Sequence, residues 1–126
     1  MGSNGKRILV VEDDRFLRRA CEVSLRQRGF AMLSAADGEE GLRLALAERP
    51  DLILLDLLMP KKSGLEVLRA LKADDSTRDI PVLVLSNSSR ECDVMEIHNL
   101  DAVGYLVKSN LTLQELGDRV TKLLED

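Results

Sequence analysis

Apolar and polar residues follow one another along this chain in blocks. Short runs that are apolar at nearly every position indicate strands covered on both faces, as in a parallel sheet. Longer segments in which apolar residues recur every three or four positions indicate amphipathic helices. On this basis we predict five strands, at residues 7–11, 31–35, 51–56, 80–86 and 102–107.

Helices are predicted between and after these strands, five in all. Apolar residues spaced for one buried face mark the first helix (Leu17, Ala20, Cys21 and Leu25), the third (Leu65, Leu68 and Leu71) and the last (Leu116, Val120 and Leu123).

Capping residues predict where these helices begin and end. Gly29 suits the end of the first helix, because glycine readily adopts the left-handed conformation found there. The helix starts are indicated by Asp14 as a candidate N-cap, by the capping-box pairs Ser63 with Glu66, Ser88 with Glu91 and Thr112 with Glu115, and by the close variant Asp37 with Glu40.

Strands that alternate with helices predict an α/β fold with an open parallel sheet and helices on both faces. We expect a flavodoxin-like, doubly wound (βα)5 arrangement with strand order 2-1-3-4-5. In that order the connections reverse direction between strands 1 and 3, and ligands bind there, at the carboxyl ends of the strands.

Composition narrows the class of protein. With 126 residues, 44% of them apolar, the chain fits one globular domain, which we place at 7–126; residues 1–6 are expected to be a tag or a disordered N-terminus. A net charge of −4 gives no basic surface for direct nucleic-acid binding. No apolar run is long enough for membrane insertion. The distant Cys21 and Cys92 indicate neither a disulfide framework nor a zinc site, so we expect a cytoplasmic protein.

Acidic residues gather where two of the predicted strands end. Glu12, Asp13 and Asp14 follow strand 1, and Asp56 ends strand 3, inside an otherwise apolar run. Such carboxylates repel one another and are stable together mainly when a cation joins them. An all-oxygen set of this kind favours Mg²⁺ as cofactor.

Complementary groups end the remaining strands. Ser86 closes strand 4 with a hydroxyl that can donate to an anionic oxygen, and Lys108 follows strand 5 with a positive charge. A carboxylate surrounded by a metal ion, a hydroxyl and an ammonium group suits phosphoryl transfer, with the carboxylate as nucleophile. The pattern therefore predicts a reversible aspartyl phosphate at Asp56.

Four stretches, ILVVEDD, LILLDLLMPKKSG, VLVLS and GYLVK, resemble the receiver domains of two-component response regulators, in particular single receiver modules of the chemotaxis regulator type. The resemblance covers essentially the whole chain after residue 6. It implies that Asp56 accepts a phosphoryl group from a histidine kinase or histidine phosphotransfer protein. It also implies that Asp13 binds Mg²⁺ directly and Glu12 through water, with Asp56 and the Leu58 carbonyl as the other protein ligands.

The same resemblance implies a phosphorylation-dependent signalling switch. Ser86 would contact the phosphoryl group, Lys108 would pair with it, and Tyr105 would be the aromatic switch residue. The surface of the fourth helix, fifth strand and fifth helix would change and bind an output partner or effector domain that the sequence does not identify. Such a domain catalyses only its own phosphorylation and dephosphorylation and is not otherwise an enzyme.

Two residues depart from the family pattern. Asn87 follows Ser86 where the family usually has alanine or glycine, so access to the site is expected to be narrower. Ser109 follows Lys108 where the family usually has proline, commonly after a cis bond, and a residue other than proline strongly prefers the trans form.

Simpler structural interpretations compete with these roles. Asp14 suits a helix cap, Asp56 and Ser86 could each be turn residues, and Lys108 could be a solvated strand end. Tyr105 shares a strand face with Val103 and Val107, so it could serve only in packing.

Three other functions can be set against the same residues. A flavin-binding electron carrier would need a phosphate-binding loop and aromatic stacking partners, and only Phe16, Phe30 and Tyr105 are aromatic. A phosphatase with an aspartate nucleophile typically has a second aspartate two residues on, where this chain has Leu58. A receiver-like binding module that works without phosphorylation would not need the acidic, hydroxyl and lysine positions, all of which are filled.

Overall fold

The chain forms one parallel sheet of five strands, in a computed structural model that describes residues 5–57, 59, 63–86 and 101–125. All neighbouring strands pair in parallel, in the order β2-β1-β3-β4-β5. This confirms the predicted α/β fold and strand order. The strands are β1 (Arg7–Val11), β2 (Ala31–Ala35), β3 (Leu52–Asp56), β4 (Val82–Ser86) and β5 (Gly104–Val107).

Three strands begin later than predicted. β4 begins two residues late because Pro81 has no N–H to donate, although its carbonyl accepts from Ile53 N at 3.0 Å. β3 begins after Asp51. The carboxylate of Asp51 accepts a hydrogen bond from Arg7 N at 2.7 Å, which joins this residue to the start of β1. β5 begins at Gly104, shortly after Asp101, which has a positive φ of 63° that an extended strand excludes.

The helices described are α1 (Arg15–Gln27), α2 (Gly38–Glu48), α3 (Gly64–Ala73) and α4 (Leu113–Leu123), the last of which is the fifth predicted from the sequence. The fourth predicted helix, with its Ser88 and Glu91 cap, lies outside the described residues, as do Asn87, Leu58 and Cys92. In the described part of the chain no helix has the length and apolar character needed to cross a membrane.

The predicted caps form where the chain is described. Asp14 accepts from Phe16 N and Leu17 N. Thr112 accepts from Glu115 N, but the Glu115 carboxylate accepts from the Thr112 hydroxyl and not from its backbone N–H, so the predicted capping box is half formed. At the start of α3, Ser63 and Glu66 make the reciprocal capping box.

The variant at Asp37 is only half formed. Its carboxylate accepts from Glu40 N at 2.9 Å. The Glu40 carboxylate, however, accepts from Ala36 N at 2.8 Å instead of from Asp37 N. At the end of α1, Gly29 has a φ of 96°, which confirms the predicted left-handed residue there.

The core lies on both faces of the sheet, which explains why the strands are continuously apolar. On one face Leu9 and Val11 of β1 pack with residues of α2 and α3. On the other face Ile8 and Val10 pack with residues of α1 and α4. Every residue of β3 and β4 is buried, including the polar residues Asp56 and Ser86 at their carboxyl ends. Polar groups collect at this edge of the sheet.

Candidate functional site

Four polar side chains meet at the carboxyl edge of the sheet because the strands that carry them are neighbours. Glu12 follows β1, Asp56 is the last residue of β3, Ser86 is the last residue of β4, and Lys108 follows β5. Asp56 lies opposite Leu85 in the register, so the ends of β3 and β4 differ by only one residue. The parallel pairing thus assembles a site from residues far apart in the chain.

Three carboxylates form the acidic side of this site. Glu12, Asp13 and Asp56 each offer an oxygen, and these oxygens all lie within 4.8 Å of one another. Glu12 is fully buried and Asp56 is 3% exposed, whereas Asp13 is exposed. The cluster therefore has two buried members and one that faces solvent. Asp14, the fourth acid of the predicted convergence, is instead engaged as the N-cap of α1.

Lys108 brings a positive charge into contact with both buried carboxylates. Its ammonium nitrogen lies 2.5 Å from Glu12 Oε1 and 3.1 Å from Asp56 Oδ1, and its side chain is only 14% exposed. One ammonium offsets one of the three carboxylate charges. When all three acids are ionised, a charge of about −2 remains, which equals the charge that one divalent cation would neutralise.

The electrostatics of Glu12 reflect this imbalance. Burial is the largest cause that raises its pKa, to about 7, while its contacts with Lys108 and Asp14 N act in the opposite direction. Its Oε2 accepts from Asp14 N at 3.0 Å. Its Oε1 forms an ion pair with the Lys108 ammonium at 2.5 Å. A buried carboxylate with a raised pKa, beside a second buried carboxylate, is stabilised in its ionised form when a cation joins the cluster.

Lys108 keeps its charge in this environment. Burial by itself would lower the pKa of Lys108, but its contacts with Glu12 and Asp56 more than offset that effect, so the pKa is raised. The peptide bond between Lys108 and Ser109 is trans, as predicted for a residue other than proline, and residues Lys108–Asn110 form a short 3-10 turn.

Two residues that position the site were not predicted from the sequence. Gly64 N donates to Leu57 O at 2.8 Å, which ties the start of α3 to the segment after Asp56. A Cβ on Gly64 would lie 2.2 Å from Asp56 O, so only glycine fits this contact. Arg18 Nη1 donates to Glu12 O at 2.8 Å and holds the loop after β1. Gly64 ends the stretch LILLDLLMPKKSG that carries the family resemblance, whereas no local pattern indicated Arg18.

The remaining predicted site residues differ in how far the structure describes them. Ser86 is 4% exposed and lies at the same edge as Asp56. Tyr105 is half-buried and packs against the core on the α2 and α3 face, as its packing interpretation predicted. A switching role for Tyr105 stays a prediction. Leu58, the predicted carbonyl ligand, lies outside the described residues.

Comparison with known proteins gives the family. The family described as the response regulator receiver domain matches residues 8–121. The chain belongs to this family.

Curated relatives of this receiver domain are longer proteins. The transcriptional regulatory protein PrrA of Mycobacterium tuberculosis is 43% identical over 123 residues, which is 98% of this chain and 52% of that protein. The receiver domain thus spans about half the length of the curated relatives it matches.

Solved structures agree with the family and the fold. The chemotaxis protein CheY4 of Vibrio cholerae superposes with a TM-score of 0.87 at 27% identity, covering 94% of this chain and 98% of that one. The response regulator Rcp1, solved in a Mn²⁺-bound form, superposes with a TM-score of 0.77 at 33% identity, covering 94% of this chain and 91% of that one.

Proposed function

We propose that this receiver domain acts as a phosphorylation-dependent switch and accepts a phosphoryl group on Asp56. The observation that carries the proposal is the position of the Asp56 carboxylate. It is almost fully buried, contacts Lys108 at 3.1 Å and lies beside Glu12 and Asp13 in a cluster with excess negative charge. A fold does not need such a costly group in its core, so its presence supports a chemical role.

In the proposed reaction, a carboxylate oxygen of Asp56 attacks the phosphorus atom of a phosphohistidine. A bond forms between that oxygen and phosphorus while the bond from phosphorus to the imidazole nitrogen breaks. The imidazole leaves with the electron pair and takes up a proton. The product is an aspartyl phosphate, whose added oxygens Lys108 would pair with. The donor would be a histidine kinase or a histidine phosphotransfer protein.

Mg²⁺ is the cofactor that we propose for this step. Asp13 and Asp56 would hold it directly, Glu12 through water, and the Leu58 carbonyl would complete the protein ligands. The residual negative charge of the cluster and its set of carboxylate oxygens fit a divalent cation. When bound, the metal neutralises negative charge on the carboxylates and on the incoming phosphoryl oxygens. The Mn²⁺-bound form of the similar regulator Rcp1 supports a divalent metal site of this kind.

Ser86 and Tyr105 would carry the change away from the site. The oxygens of a phosphoryl group on Asp56 would lie farther from the carboxylate carbon than the free carboxylate oxygens do. The Ser86 hydroxyl would donate to one of them, and the end of β4 would move inward with it. That movement would free space for the Tyr105 ring and alter the surface around β5 and α4. We propose that an output partner, or an effector domain of a longer protein, reads this surface.

The test of the proposal is intact mass after treatment with acetyl phosphate and Mg²⁺. We expect one added phosphoryl group in the native protein and none in Asp56→Asn, because the amide is not a comparable nucleophile. Asp13→Asn should be labelled more weakly, since it lacks a metal ligand. Asp79→Asn, which makes the same change at an exposed position away from the cluster, is the matched control and should behave like the native protein.

Two results would contradict the assignment. One is labelling of Asp56→Asn to the native extent, which would place the phosphoryl group elsewhere. The other is continuous hydrolysis of acetyl phosphate with rapid turnover and no accumulated adduct, which would favour an aspartate-nucleophile phosphatase.

A further inference from the structure

A cavity of about 190 Å³ lies between α1 and the start of α4 and includes Lys108 in its wall. Ala20 and Cys21 of α1, Leu85 of β4 and Leu116 of α4 are among the residues that line it. It is separate from the acidic cluster, whose carboxylates are not among its lining residues. The two sites nevertheless share Lys108, which reaches from the cavity wall to Asp56.

The chemistry of the wall excludes charged ligands. Burial, the largest cause, raises the pKa of the Cys21 thiol to about 11, so this group is neutral at ordinary pH. The positive charge of Lys108 is already engaged by Glu12 and Asp56. An anion would therefore meet these carboxylates beyond the ammonium, and a cation would lose its hydration without gaining a partner. A neutral, apolar molecule has neither cost.

The size of the cavity sets the size of that molecule. The cavity holds about 190 Å³ and is partly open to solvent, since two of its lining residues, Thr112 and Leu113, are exposed. Apolar cavities of roughly 150 Å³ stay dry and bind benzene or xenon. The cavity here has room for about one aromatic ring, and its wall offers mainly leucine, alanine and thiol surface to pack against it.

We propose that this cavity is a binding site for a small, neutral, apolar molecule of about one aromatic ring, in contact with Lys108. The cavity is present in the unphosphorylated protein, where its walls belong to α1, β4, the turn after β5 and the start of α4. Since Lys108 belongs to the cavity and also contacts Asp56, an occupant can influence the acidic cluster. Coupling between two sites is reciprocal. If an occupant of the cavity changes the affinity of the acidic cluster for a ligand, that ligand changes the affinity of the cavity for its occupant by the same factor.

The experiment is a titration of the full chain with benzene, followed by NMR of leucine methyl groups and of the lysine methylene groups. We expect saturable shifts at Leu17, Leu85, Leu116 and Lys108, because these residues line the cavity. Leu46, exposed on α2, should not shift. The titration needs neither Mg²⁺ nor a phosphoryl donor, so its outcome is independent of the proposed function.

A pair of matched variants locates the binding. Ala20→Leu adds three carbon atoms at the cavity wall and should weaken benzene binding by roughly tenfold or more. Ala47→Leu adds the same atoms at an exposed position of α2 and should leave binding unchanged. If Ala20→Leu does not fold, the smaller Ala20→Val serves in its place. Shifts that do not saturate, shifts of equal size at Leu46, or native affinity in a folded Ala20 variant would each overturn the proposal.

Discussion

Removal of the Lys108 charge should destabilise the metal-free protein and increase its response to Mg²⁺. In Lys108→Ala the cluster loses the ammonium that contacts both buried carboxylates, Glu12 and Asp56. Two unit charges separated by 3.1 Å attract with roughly 5 kcal/mol at an effective dielectric constant of about 20. Part of this is offset because the ammonium no longer has to be desolvated. We therefore expect a net loss of about 2–4 kcal/mol in the free energy of unfolding.

Mg²⁺ should recover much of that loss. The three carboxylates then carry about −3 in place of −2, so the cation is attracted more strongly. Each tenfold gain in affinity adds about 1.4 kcal/mol of stability at saturating metal. We expect at least one such factor, and hence a larger stabilisation by Mg²⁺ in the variant than in the native protein.

Urea unfolding with EDTA and with saturating Mg²⁺ measures both effects. The assay is best run near pH 9, because the pKa of Glu12 is about 7 in the native protein and rises further when the Lys108 contacts that lower it are removed. Lys122→Ala, which removes the same charge from an exposed position of α4, is the control and should respond to Mg²⁺ like the native protein. Equal stabilisation by Mg²⁺ in Lys108→Ala and the native protein would refute the charge argument.

Two further predictions concern Asp56 and the switch. Gly64→Ala should cost about 1–3 kcal/mol of stability and slow labelling, because a Cβ placed 2.2 Å from Asp56 O must push the backbone of the acceptor residue aside. Gly104→Ala is the control, since the one close contact of its Cβ would be with the flexible end of Arg119, and Leu83 Cδ1 lies at an ordinary 3.5 Å. Labelling slowed equally in both variants would contradict the effect of the backbone contact. Beryllofluoride with Mg²⁺ should shift the amide signals of Ser86 and of residues 103–108, if the phosphoryl group acts through β4 and β5. Shifts confined to the loops around Asp13 and Asp56 would mean that the ligand binds without operating the switch.

The fold and much of the site could be predicted because their signals are local in the sequence. Strands buried on both faces are continuously apolar, so polar residues such as Glu12, Asp56 and Ser86 mark where they end. Parallel strands then bring these ends to one edge without any further information. The short-range caps at Asp14 and Ser63 are predictable for the same reason, since donor and acceptor lie within three residues.

Contacts between distant parts of the chain could not be predicted. The hydrogen bond from Arg18 to Glu12 O depends on how α1 is oriented against β1, and the fit of Gly64 against Asp56 O depends on how closely α3 approaches β3. The cavity beside Lys108 is a further example, because it results from imperfect packing among side chains of four segments. No periodicity or spacing encodes such distances.

Burial of β3 on both faces also affects how the sheet finds its correct pairing. Leu54 and Leu55 face opposite sides of the sheet, so a slip of β3 by one residue would exchange one leucine for another and change the apolar packing little. In most half-buried strands such a slip would expose the core, but here hydrophobicity alone barely opposes it. What opposes it is Asp56, because a slip toward the interior would bury its charge beyond the reach of Lys108. A slipped alignment of β3 therefore carries an electrostatic cost at the residue that we propose as the phosphoryl acceptor.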